Sequence, residues 1–129
     1  MPRPAYFLAV LAALMGAAGV ALAALSTHAG GGDFGRTAAE FLSLHAAALL
    51  GVSAQAHGAA PRYARALLVA GGALALGTIL FAGDLTSLAF AGGRLFPFAA
   101  PTGGSLMILS WIVLAIVFAL SALREESQG

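Results

Sequence analysis

Polar residues are rare along this chain, and they gather at a few places that divide it into four long apolar stretches. Residues 5–25 carry no charge, and residues 41–60 are uncharged apart from the imidazoles of His45 and His57. Residues 66–91 are interrupted by Asp84 alone, and residues 102–123 are free of charge. Each stretch is near the roughly 20 residues that a helix rising about 1.5 Å per residue needs to cross about 30 Å of hydrocarbon. Inside lipid every backbone N–H and C=O must be satisfied within the spanning structure, and a β-barrel would need alternating polarity that is absent here. The stretches therefore read as transmembrane helices. Between them lie a glycine-rich break at residues 30–36, a turn at 61–65, and a segment at 92–101 that holds Arg94, Pro97 and Pro101. Glycine and proline are the usual helix breakers. The expected architecture is all-α: an antiparallel four-helix transmembrane bundle forming a single membrane domain over residues 1–129.

Composition strengthens this reading. Hydrophobic residues make up 60% of the chain and charged residues 9%, against about 25% charged in ordinary soluble domains. So little charge cannot cover a folded chain with a solvated surface, and lipid must take the place of water. Six arginines against five carboxylates give a net charge of +1, too little cation to hold nucleic acid through its phosphates. The absence of cysteine excludes disulfides, thiolate nucleophiles and cysteine-ligated metal.

Four spans put Arg3, Arg62, Arg65 and Arg124 on one side and Arg36 and Arg94 on the other. By the positive-inside bias, the first group and both ends of the chain are expected in the cytoplasm. Arg3 followed by an apolar run and Ala21-Leu22-Ala23 resembles a cleavable signal peptide. That run is about 20 residues, longer than the 7–15 of a signal's apolar region, so the first helix is expected to be retained.

Helices gain little hydrophobic energy against one another in lipid, and small residues that allow close approach become the main source of association. Ala9, Ala13, Ala17 and Ala21 recur every four residues, with Gly16 and Gly19 beside them. Ala47, Gly51 and Ala54 form a similar set in the second stretch, and Ala70, Ala73 and Gly77 in the third. The expectation is that these faces close the bundle, with a homodimer face as the alternative.

Polar groups inside a membrane are costly and are functional candidates by default. His28, Glu40, His45, Asp84 and Arg94 all fall toward the non-cytoplasmic half. His28, His45 and Asp84, with Arg94 nearby, form the candidate polar cluster, because imidazoles and a carboxylate suit a transition metal or a proton path. Glu40 and His45 lie five residues apart, about 140° around a helix, and do not form one ligand face. The structural alternative has the histidines bonded to helix ends or neighbouring helices, and Asp84 paired with Arg94 or capping a break after Gly83. His57 stands beside Arg62 and Arg65 at an interface where both arginines can meet anionic headgroups. At the head of the fourth stretch Thr102 is a potential N-cap. With Gly103, Gly104 and Arg94 it is a candidate contact for an anion or a lipid headgroup. No GxSxG element, P-loop or dinucleotide fingerprint occurs, so no catalytic residue and no cofactor is expected.

Several of these segments resemble one family of small bacterial inner-membrane proteins. Leu25-Ser26-Thr27-His28 loosely matches a Gly-Ala-His type motif that ends the family's first helix. His45 matches the histidine of an aromatic-Gln-x-x-His element, although Leu42 and Ser43 stand near its aromatic and glutamine positions. Residues 76–86 are close to the family's Leu-Gly-x-x-Leu-Phe-Ser-Gly-Ser-Leu-Tyr pattern. Arg94-Leu95, Ala100-Pro101-Thr102-Gly103-Gly104 and Trp111 follow its Arg-Leu, Thr-Pro-x-Gly-Gly and tryptophan positions. The chain thus resembles domain-of-unknown-function family 423, the YgdD-like proteins, similar to animal transmembrane protein 256. The resemblance implies a four-helix fold in the inner (plasma) membrane and no established activity. Asp84 stands where relatives usually have serine, so a site needing its carboxylate is not family-wide, and His28, His45, Arg94 and Gly104 are the better candidates for a shared role. The expected function is that of a non-enzymatic accessory protein packing against lipid, itself or a larger membrane complex. The alternative is a small transporter or a metal- or proton-handling protein that uses His28 and His45.

Overall fold

The structure is a computed structural model that describes residues 3–129. It contains four helices, α1 (Arg3–His28), α2 (Gly32–Gly58), α3 (Pro61–Phe90) and α4 (Ala99–Gln128), each long and apolar enough to cross a membrane. Among the described residues there is no strand, and the fold is the expected all-α membrane bundle.

The helices extend beyond the apolar stretches, because residues that looked like breakers serve as helix starts. Only residues 29–31 separate α1 from α2, with Gly30 and Gly31 at positive φ. The rest of the glycine-rich segment is already helical, and Gly35 N–H bonds to Gly31 C=O at 3.0 Å. Asp33 sits in that first turn, where the helix dipole favours a carboxylate. Pro61 is the first residue of α3, a position whose N–H has no helical partner in any case. Pro101 likewise falls in the first turn of α4, so that helix begins three residues before the apolar stretch does.

Helix α3 is the centre of the assembly and packs against α1, α2 and α4, while the backbone of α4 approaches α3 alone. Leu49, Leu67, Leu74 and Leu114 are the largest fully buried apolar side chains. The contact faces of α1 and α2 differ from those expected. In α1 the buried positions are Ala5, Leu8, Ala12, Met15 and Gly19, a three-four spacing that keeps one seam against a neighbour. Ala13, Ala17 and Ala21 are exposed, as are Ala47, Gly51 and Ala54 of α2. In α1 the reason is geometric: a strict four-residue repeat precesses by about 40° per step, so it turns off any straight seam within three steps. In α2 the four-three set keeps one face, but that face is turned outward, and Ala38, Leu42, His45, Leu49, Val52 and Ala56 are the buried ones. In α3 the expected face holds, with Ala70 and Gly77 buried.

The tightest backbone-to-backbone approach is between α3 and α4. A Cβ on Gly103 would lie 2.6 Å from the carbonyl oxygen of Gly77 and 2.7 Å from the nitrogen of Phe81, distances no real side chain tolerates. At the α1–α2 end the hydroxyl of Ser53 donates to the carbonyl oxygen of Ala5, an interhelical polar link of the kind that holds membrane helices together. This contact, and that of Tyr63 with Leu120, place Arg3, the α2–α3 turn and Arg124 at the same end of the bundle.

Candidate functional site

The polar residues singled out in the sequence separate into distinct places. Asp84, two turns before the end of α3, is fully buried, and its carboxylate is met by three donors. Arg94 Nη1 donates to Oδ2 at 2.6 Å, Leu95 N–H to Oδ1 at 2.9 Å and Ala100 N–H to Oδ2 at 3.2 Å. A charge out of water is tolerated when its lone pairs are filled in this way. Arg94 remains half exposed, its side chain at 49%. The carboxylate thus binds the α3–α4 connection, residues 91–98, back onto α3 and caps α4 from another helix.

That arrangement changes the reading of the head of α4. Its N-cap is Phe98, at a positive φ of 65° and with no side-chain cap bond. Thr102 lies within the helix, its N–H bonded to Phe98 C=O at 3.0 Å, and is exposed. It does not cap, because the helix starts earlier and Asp84 supplies the acceptor. Of the expected anion-contact set, Gly103 is buried in the α3–α4 crossing and Gly104 is half-buried beside Phe81. Asp84 already sits at this helix start as an internal anion.

His45, 3% exposed near the middle of α2, belongs to a different environment. Its Nδ1 is 2.8 Å from Phe41 C=O, which can only accept, so Nδ1 carries the hydrogen and Nε2 is left as an acceptor. Trp111 Nε1–H of α4 fills it at 3.3 Å. A tryptophan at mid-span has no water for its N–H, and the histidine supplies the partner. Phe41 stacks on His45, with ring centroids 5.6 Å apart, and meets Phe81 at 4.7 Å. These side chains bridge a cleft between α2 and α4 and line an apolar recess of about 460 Å³ that also reaches Gly104 and Ile108. His28 is exposed at the opposite end from Arg3, and Glu40 is exposed about two turns into α2 from that end. The structure therefore joins Asp84 to Arg94 and His45 to Trp111, and leaves His28 apart. Among the described residues no three His, Asp or Glu side chains are grouped so as to hold a metal.

A further cluster was not singled out as a site in the sequence. Tyr63, 7% exposed at the start of α3, donates its hydroxyl hydrogen to Leu120 C=O at 3.3 Å and accepts from Arg62 Nη2 at 3.1 Å. The guanidinium carbons of Arg62 and Arg124 lie 4.7 and 5.8 Å from the centre of its ring. The only signal in the sequence is an Arg-Tyr pair at an interface; Arg124 comes from 61 residues further on.

The sequence of residues 15–104 matches the profile of the family described as "Protein of unknown function (DUF423)". The chain belongs to the DUF423 family. Relatives of this DUF423 protein include the inner membrane protein YgdD of Escherichia coli (strain K12), 31% identical over 130 residues that cover 95% of this chain and 94% of the relative. The YgdD protein of Shigella flexneri is similar to the same extent. No solved structure matches the chain. Four spanning helices together with these relatives make this DUF423 protein a multi-pass inner-membrane protein. The matched segment contains His28, His45, the Asp84–Arg94 lock and the Gly77–Gly103 crossing, and ends before Trp111 and the Tyr63-facing part of α4.

Proposed function

We propose that this DUF423 protein is a non-enzymatic accessory protein of the membrane that associates laterally, with a second copy or a larger membrane complex, through the outer faces of α1 and α2. The observation that carries this reading is the outward position of Ala13, Ala17, Ala21, Ala47, Gly51 and Ala54. Small residues facing lipid bring little to the fold of this chain, whereas they allow the backbone of another helix to approach closely. The internal polar groups support the same reading. Asp84 is saturated by three donors and both ring nitrogens of His45 have protein partners. The transporter or metal alternative, built on His28 and His45, draws no support from an exposed His28 lying apart from His45.

The chain has no cysteine, so single cysteines report proximity without background. Ala17→Cys or Gly51→Cys in native membranes is expected to give a disulfide-linked or bifunctionally cross-linked adduct. Val69→Cys, on the exposed face of α3, is expected to stay monomeric. Adduct formation at Val69 alone, or at none of the three, counts against the reading.

A further inference from the structure

At the end of the bundle that holds Arg3 and Arg124, the α2–α4 cleft ends in a half-enclosed pocket of about 380 Å³. The end of α2 contributes Gln55 and Gly58 to it, α3 contributes Tyr63 and Leu67, and α4 contributes Phe118, Arg124 and Glu125. The polar members stand at the level of the helix ends. Leu67 lies one turn deeper than Tyr63, and Phe118 about 9 Å deeper than Arg124. The pocket is thus amphipathic along the membrane normal, and it opens sideways because α4 approaches only α3.

One cation of the pocket wall, Arg124, lies over the buried Tyr63 ring, while Arg62 meets the same ring from outside the pocket lining. Among the described residues neither has a carboxylate within ion-pair distance. Glu125, next in sequence to Arg124 and in the same pocket wall, has no cationic partner among the described residues. Unpaired guanidinium groups suit a phosphate, and a neighbouring unpaired carboxylate suits an ammonium.

We propose that this pocket binds the headgroup of one zwitterionic phospholipid of the phosphoethanolamine type, with its phosphate at Arg124 and its ammonium at Glu125. The shared chemistry is a phosphodiester that bears a primary amine; the interfacial level and the apolar depth at Leu67 and Phe118 favour a lipid over a soluble metabolite. Of the outer faces of α1 and α2 the pocket shares only Ala54, so failed cross-linking at Ala17 and Gly51 leaves this inference intact.

The test is native mass spectrometry of the full chain in mild detergent, titrated with phosphatidylethanolamine and phosphatidylglycerol of the same acyl chains. One phosphatidylethanolamine per chain is expected to be retained in preference to phosphatidylglycerol. R124Q is expected to weaken that retention about fivefold, since one arginine at a membrane surface supplies roughly that factor. E125Q is expected to move the preference toward phosphatidylglycerol. Both positions are exposed near the end of α4, so the variants keep the fold, which helical circular dichroism verifies. Equal retention of the two lipids by the native protein overturns the proposal, as does unchanged retention in folded R124Q. Displacement of the lipid by equimolar glycerophosphoethanolamine overturns the lipid assignment in favour of a soluble ligand.

Discussion

A carboxylate buried in a membrane helix is tolerated only if donors fill its lone pairs, and Asp84 draws those donors from three residues 10 to 16 positions further along the chain. Removing it strands two backbone N–H groups and a guanidinium at once. Asp84→Ala is therefore expected to destabilise the protein by about 1–3 kcal/mol, read as a lower thermal midpoint in detergent. Asp84→Asn, which keeps an acceptor and the shape but loses the charge, is expected to fall between Ala and the native protein. An unchanged midpoint for Asp84→Ala would show that the α3–α4 connection is held by other contacts. The pairing of Asp84 with Arg94 was legible, because both are isolated charges on neighbouring segments. The role of Asp84 as a cap for α4 was not, since a backbone N–H leaves no mark in the sequence. His45 was equally visible as a lone imidazole in an apolar run, while its partner Trp111 is 66 positions away on a helix whose rotation the sequence does not specify.

At the scale of elements, the existence of each helix followed from hydrophobic length, but which side faces inward did not. The chain is so uniformly rich in alanine, leucine and glycine that α1 has hardly any amphipathic contrast, and its inner seam of Ala5, Leu8, Ala12, Met15 and Gly19 differs from its outer face mainly in shape. Side-chain volume, rather than polarity, decides the packing, and the clearest case is the crossing of α3 and α4. Gly103→Ala is expected to force those helices apart and to cost about 1–3 kcal/mol as an overpacked contact. Gly104→Ala places its Cβ 3.9 Å from Phe81 Cδ2, an ordinary contact. It should be neutral or stabilising, because alanine favours a helix over glycine by up to about 1 kcal/mol. Thermal unfolding of the two variants side by side checks this; equal midpoints would contradict the close crossing.

For the molecule as a whole, the end that carries Arg3, Arg62, Arg65 and Arg124 opposes an end where Arg94 is neutralised by Asp84 and Arg36 stands near Asp33 at 3.9 Å. The positive-inside bias counts arginines and lysines, and four against two predicts that the four-arginine end is cytoplasmic. A membrane-impermeant maleimide applied to intact cells is expected to spare Ser127→Cys and to label Ala29→Cys, both exposed; the reverse pattern would invert the orientation. What the sequence determined by itself is the number of spans, their all-α character, the membrane setting and the gathering of arginines at helix ends. Those properties depend on one-dimensional quantities: apolar length against bilayer thickness, and the cost of an unsatisfied backbone in lipid. Only the tertiary structure decided that α3 is central, that α4 touches little besides α3, and that Asp84, His45 and Tyr63 find partners on distant segments. Those outcomes depend on helix rotation and side-chain volume, which act between elements and have no periodic trace in a chain that is apolar on nearly every face.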